Sequence, residues 1–312
     1  MQAAPSMGYI GMTVMPPFYV NRQSATFPVI PKEALFNLLD TKRGPLGHYN
    51  RGDEDFEEGY YRTVENGLER LIDDRFNAIY STKFAYELTI ANILMNNILR
   101  SWEYRVANLL LNETNFETAI AASTAWSNIA ATPKADVDAG KAVLRAVGII
   151  PNALIINYTN FLYLALNTEV RSTVTNLFPD TARTGNITIE HLKAYFEVPQ
   201  ILVAGAMYNT AKRGQDASLS DLWSSTYAML AKIAPGPTAD ITEPCVGRTV
   251  IWNEGAAEDV IVEQYRDEGV RGDVLRVRHD TQECLLTSYD NTNTAKSEIS
   301  KAAGYLIDVT GS

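Results

Sequence analysis

Between Leu68 and Thr132 the chain has neither glycine nor proline. Inside that stretch Phe84, Leu88, Ala91, Met95, Ile98 and Trp102 recur at alternating steps of four and three, and the pattern continues to Val106 and Leu109. Such spacing lays one apolar stripe along one face of a helix. It predicts a single helix over residues 83–112, about 45 Å long at ~1.5 Å per residue. Ile90, Ile93 and Leu94 widen the stripe beyond a two-position coiled-coil seam, so the helix is expected to lie across a β-sheet.

The pattern before this helix is irregular. Pro16, Pro17, Pro28, Pro31, Pro45 and six glycines punctuate residues 1–60, leaving room only for short β-type runs such as Phe27-Pro-Val-Ile30 and a short helix near Lys32–Asp40. Tyr9, Ile10, Phe18, Tyr19, Val20 and Phe27 are scattered at no helical period. They suit an extended arm lying on other surfaces better than a polar tail. After the helix, Lys134–Val147 (opened by Pro133), Phe161–Leu166 and Ile189–Phe196 (N-capped by Thr188) read as helices. They alternate with the short buried strands Ala153–Ile156 and Ile201–Ala204, as in a compact α/β layer. Pro235-Gly-Pro237 and Pro244 mark a boundary. Thr249–Trp252, Val260–Arg266, Val270–His279 and Cys284–Thr287 then read as antiparallel strands, with Gly304–Val309 as a last one.

Composition adds one constraint. The 312 residues carry a formal charge of −10, with 46% hydrophobic and 21% charged residues. These are values for a folded globular chain. The acidic balance argues against a protein whose task is gripping nucleic-acid phosphates. No apolar run approaches the ~18 residues of a membrane span, and the first ten residues do not read as a secretory signal. Cys245 and Cys284 are expected to be two buried thiols.

Candidate chemistry is sparse. Phosphate-loop, dinucleotide, nucleophile-elbow and zinc-protease motifs are missing from the sequence, and no cofactor or metal is expected. His48, His191 and His279 have no catalytic partner beside them and read as structural or surface residues. Asp53-Glu54-Asp55-Phe56-Glu57-Glu58 offers carboxylates, but a contiguous acidic run among glycines reads as a solvated loop tip. Asp73-Asp74 with Glu69 reads as a solvated helix start. In Val262–His279, Leu275 and Val277 alternate with Arg276 and Arg278. Glu263, Arg266, Asp267, Glu268, Arg271 and Asp273 make that polar face mixed in sign. Such a face suits contact between identical subunits better than phosphate tracking.

Several stretches together resemble tailed-bacteriophage major capsid proteins. They are Phe27-Pro-Val-Ile-Pro-Lys-Glu-Ala-Leu-Phe36, Gly59-Tyr-Tyr-Arg-Thr-Val-Glu-Asn-Gly-Leu-Glu-Arg-Leu-Ile-Asp-Asp74, Trp102-Glu-Tyr-Arg-Val-Ala-Asn-Leu-Leu110, Val250-Ile-Trp-Asn253, Glu263-Gln-Tyr-Arg-Asp-Glu-Gly-Val-Arg-Gly-Asp-Val-Leu-Arg-Val-Arg-His279 and Ala303-Gly-Tyr-Leu-Ile307. They occur in the family's order over nearly the whole chain, and are clearest before residue 112 and after residue 248.

The resemblance implies an α+β fold with an arm at 1–25, an extended loop at 26–75 and a peripheral domain with a spine helix at 76–132. An axial domain at 133–245, peripheral strands at 246–290 and a return to the axial domain at 291–312 complete it. About 75 residues of arm and loop would then pack on neighbours. It further implies a non-enzymatic subunit whose hexamers and pentamers form an icosahedral shell around double-stranded DNA, assembled in the bacterial cytoplasm. Expected partners are a separate scaffolding protein, a portal and a decoration protein. Tyr9, Phe18, Tyr19 and Phe27, the acidic tip and the charged strands would make the subunit contacts. Some capsids of this fold crosslink a loop lysine to a neighbour's asparagine; Lys32 and Lys42 lie in the loop, with no second-site motif beside them. An encapsulin-type compartment is the alternative within the fold. A hydrolase using Asp53–Glu58 or Asp73–Asp74 is the alternative outside it, and a tail or adhesion component would show repeats.

Overall fold

The computed structural model describes residues 8–29, 38–45, 47–51, 56–116, 120–178, 185–237, 245–253, 259–286 and 303–311. Along the chain run α1 (Gly11–Val14), β1 (Pro17–Tyr19), β2 (Ser24–Val29), β3 (Glu57–Arg62), β4 (Val64–Asp73), α2 (Asp74–Tyr80) and α3 (Tyr86–Leu110). Then follow β5 (Ile120–Ala121), α4 (Pro133–Ala146), β6 (Ala153–Asn157), α5 (Tyr158–Leu166), α6 (Thr168–Leu177), α7 (Ile189–Phe196) and β7 (Gln200–Ala204). Last come β8 (Met207–Asn209), β9 (Leu219–Asp221), β10 (Tyr227–Ala231), β11 (Gly247–Ile251), β12 (Ile261–Asp267), β13 (Gly272–Leu285) and β14 (Gly304–Asp308).

Two sheets share the work of burial. The first is built on β13. β4 runs antiparallel along one edge from Gly272 to Thr281, while the other edge is divided between β12 and β11. β1 adds in parallel to β11. The strand reading expected a break between His279 and Cys284, because Asp280-Thr281-Gln282-Glu283 lacks an apolar alternation. Pairing supplies what pattern did not, since Thr281 is matched to Ile251 on one side and Val64 on the other. The second sheet has the order β5-β14-β10-β6-β7. Its central strand β10, Tyr-Ala-Met-Leu-Ala, carries residues that favour helices, and only its seat between β14 and β6 makes it extended.

α3 joins the two. Its first half packs Ile90, Leu94 and Ile98 on Ile72, Leu275 and Val277 of the first sheet. Its second half packs Leu99, Trp102, Val106 and Leu110 on Ala153, Ile155, Met229 and Leu306 of the second. The opposite face of the second sheet is covered by α4–α7. The buried side of α3 steps by four through Ile90, Leu94, Ile98, Trp102, Val106 and Leu110. This corrects the expected stripe: Phe84 and Leu88 face outward, Leu88 being 62% exposed.

Local caps explain where helices begin. The Asp73 carboxylate accepts the Arg75 amide and starts α2. Buried Asn157 and Asn167 cap α5 and α6 through Thr159 and Val170. The side-chain amide of Asn167 also donates to the Ala131 carbonyl. At α7, His191 Nδ1 accepts the Thr188 amide. β2 and β3 form a separate antiparallel ribbon in which Phe27 opposes Gly59. A Cβ on Gly59 would lie 2.3 Å from the Phe27 ring, so glycine is what lets the ring cross the ribbon.

Described residues of the arm do not lie apart from their own subunit, as the pattern had suggested. Ile10, Val14 and Met15 are buried in the core under α3, because apolar residues at irregular spacing can fill gaps between elements without forming one.

Candidate subunit-contact surface

The expected contact residues divide into three groups. Tyr9 is half-buried against the main core. Phe18 and Phe27 pack with Val20, Tyr61, Val250 and Cys284 at the root of the β2–β3 ribbon. They hold the ribbon to its own subunit. Tyr19 is half exposed, and its hydroxyl is pushed up to about 12 by partial burial and a hydrogen bond to Asp259. Asp53, Glu54 and Asp55 lie outside the described residues. Glu58 is exposed and Glu57 half-buried on β3.

The charged residues of β12 and β13 are brought together, but with partners of their own subunit. Arg276 bonds Glu69 at 3.2 Å, Arg278 bonds Glu263 at 3.0 Å and approaches Glu65 at 3.8 Å. Arg266 grips Asp74 with two hydrogen bonds of 2.6 and 2.7 Å and approaches Asp273 and Glu268. The cause is register: β13 lies between β4 and β12, so Arg276 stands directly opposite Glu69 and Glu263. Arg271, with φ 50, takes the left-handed position of the β12–β13 turn, and the Asp267 carboxylate accepts the Gly269 amide there. The expectation of a mixed-sign face holds, and Arg266, Arg276 and Arg278 are each paired with carboxylates of their own subunit.

Alternation along β13 is as the pattern implied. Arg276 and Arg278 face outward, and His279, Thr281 and Glu283 face α3. There Arg105 binds Glu283 at 3.0 Å and Thr281 at 3.1 Å, with His279 Nε2 at 3.4 Å. Arginine can only donate, so that nitrogen is the unprotonated one. Burial and the neighbouring guanidinium hold His279 down at about 4.

Carboxylate chemistry finds little support in this geometry. Asp73 is a helix cap, and Arg266 holds the Asp74 carboxyl below its ordinary range. Glu103 is the opposite case. Burial pushes its carboxyl up, while hydrogen bonds from Ile10, Trp223 and Gly11 oppose the rise. It lies in the core, 1% exposed. Among the described residues no three His, Cys, Asp or Glu side chains are grouped to hold a metal. Both cysteines are buried.

What the sequence reading missed is apolar surface. Leu38 (96% exposed), Tyr49 (71%) and Phe56 (62%) project from the loop beyond the ribbon. Phe76, Ile79, Tyr80, Phe84 and Leu88 form a second patch, with Tyr80 ring contacts to Phe76 at 6.2 Å and to Phe84 at 6.1 Å. Tyr158, Leu162 and Leu166 make an exposed stripe on α5. The signal was present in the excess width of the apolar stripe at the start of α3.

The major capsid protein of Burkholderia phage BcepMu is 24% identical over 277 residues, covering 86% of this chain and 86% of its own. A phage-related protein of Bordetella bronchiseptica RB50 superposes with a TM-score of 0.67 at 22% identity, covering 97% of this chain and 93% of that one. This chain has the tailed-phage major capsid fold. The capsid of a native GTA particle matches 98% of the chain and 91% of its own, with a TM-score of 0.54 at 11% identity. No family model matches the chain. The resemblance drawn from the sequence is thus borne out.

Proposed function

We propose that this chain is the major capsid protein of a tailed phage, assembling as hexamers and pentamers into an icosahedral shell around double-stranded DNA. The observation that carries this reading is a likeness that runs the length of the chain, in sequence to a phage major capsid protein and in fold to capsid structures. The role is structural, not catalytic. The first sheet with α3 as spine helix serves as the peripheral domain, and the second sheet with α4–α7 as the axial domain. Leu38, Tyr49 and Phe56 of the loop and the Phe76–Leu88 patch are the surfaces offered to neighbouring subunits, since exposed apolar groups clustered on a folded chain mark contact sites. Tyr19 and Glu58, both exposed, are further candidates for such contacts.

A charge of −10 suits a wall that should not hold its contents. A scaffolding protein, portal and decoration protein complete the assembly, which takes place in the host cytoplasm. Electron microscopy of the purified full chain is the test: closed shells are expected, and a monodisperse monomer under all assembly conditions overturns the reading. Particles that carry enzyme cargo and no DNA would favour the encapsulin-type alternative.

A further inference from the structure

Three segments far apart in sequence converge on one carboxylate. Glu103, on the buried side of α3, is 1% exposed. Its Oε1 accepts the Ile10 amide at 2.8 Å and the Trp223 indole N–H at 2.7 Å, and its Oε2 accepts the Gly11 amide at 2.8 Å. None of the three donors belongs to α3. Two are on the arm, and the third follows β9, beside the second sheet. A buried carboxylate without compensation is costly; here three charge-assisted hydrogen bonds compensate it, and they exist together only when arm, helix and second sheet are all in place.

The arm is shaped to meet this group. A Cβ on Gly11 would lie 2.5 Å from Oε2, so glycine is required for the carboxylate to reach both amides. Upstream, Gly8 takes φ +74 and lies against Gly205, just beyond β7, whose amide donates to the Gly8 carbonyl at 3.3 Å. Downstream, the Met15 and Pro16 carbonyls accept the hydroxyl and amide of Thr249 at 3.0 and 3.2 Å. β1 then joins β11 in the first sheet. Residues 8–19 therefore run from the second sheet, across α3, to the first.

We infer that residues 8–19 are a strap that fixes the two sheets relative to each other, and that the Glu103 carboxylate is the latch that seats it. An apolar residue at 103 could fill the space but would leave three buried donors unmet, so the identity of this side chain is tied to the strap and not to core volume. In a shell subunit, release of the latch would let the two sheets turn without either unfolding; that consequence rests on the function proposed above, whereas the strap itself does not.

Hydrogen–deuterium exchange on the purified full chain tests the latch. Glu103→Gln removes at least one acceptor and sets an amide against N–H groups. It is expected to speed exchange at residues 8–16 roughly 10- to 100-fold, the loss of a hydrogen bond to a charged group, with β6 and β13 unchanged. Gly11→Ala, which displaces the carboxylate without altering it, is expected to do the same. Unchanged strap exchange in Glu103→Gln overturns the inference, and so does an equal rise across strap, β6 and β13. Should neither variant fold, the wild-type chain decides: strap amides that open before both sheets support the latch, and strap amides that exchange only in step with them overturn it. Shell formation by the wild type is scored separately by microscopy, so a failed latch and a failed capsid reading give different results.

Discussion

The two sheets solve burial in opposite ways. In the second sheet both faces are covered, so β6, β10 and β14 are buried almost throughout and read as continuous apolar runs. In the first sheet the face under α3 is dry, while the other is covered only at β11 and the end of β13 by the root of the ribbon, and elsewhere carries a ladder of charges from Glu65 to Arg278. Substitutions in the second sheet should therefore act on folding. Those on the outer face of the first should act on whatever that face meets.

The largest effect is expected in the second sheet. Leu230, fully buried in β10, packs with Leu154, Leu192 and Tyr305. Leu230→Ala should cost about 2–5 kcal/mol by loss of contacts and the cavity left behind, read as a lower midpoint in urea. An unchanged midpoint would mean that this sheet is not the dry core described.

A smaller effect belongs to the dry face of the first sheet, at His279. Its imidazole is held at about 4 when folded, against about 6.5 for a freely solvated histidine. The unfolded chain therefore takes up the proton first as pH falls. Stability should drop from about pH 6.5 and level off near pH 4, by up to about 3 kcal/mol. His279→Gln should flatten that part of the profile relative to wild type. Arg105 is the charged group that opposes the proton, and Glu283 and Thr281 hold Arg105 in place. An identical pH profile in the variant would show that His279 is solvated.

Smallest of all should be the outer ladder. Arg276 and Glu69 are about half exposed, and exposed pairs gain little over their hydrated state. Arg276→Ala is expected to leave the urea midpoint unchanged. A loss comparable to Leu230→Ala would abolish the contrast between the two sheets.

Much of the architecture was legible because it is written in local period and composition. The long helix, α4, α7, β6, β7 and the last strand follow from spacing and punctuation. The collinear stretches also pointed to the capsid fold before any coordinates. β10 and α6 were not legible, since a strand of helix-favouring residues and a helix rich in threonine and valine owe their form to neighbours and to the Asn167 cap. The candidate contacts fared unevenly for the same reason: composition identified Arg266, Arg276 and Arg278 as charged and outward, but only strand register showed that Glu69, Asp74 and Glu263 already answer them.

By itself, then, the sequence determined the elements whose apolar period is longer than a turn, and the acidic character of the chain. Tertiary structure alone decided which side of α3 is dry, which arginines are paired, and that Glu103 faces inward. Most of these depend on groups 93 to 207 residues apart being brought within hydrogen-bond distance, and neither a period nor a composition records such distances.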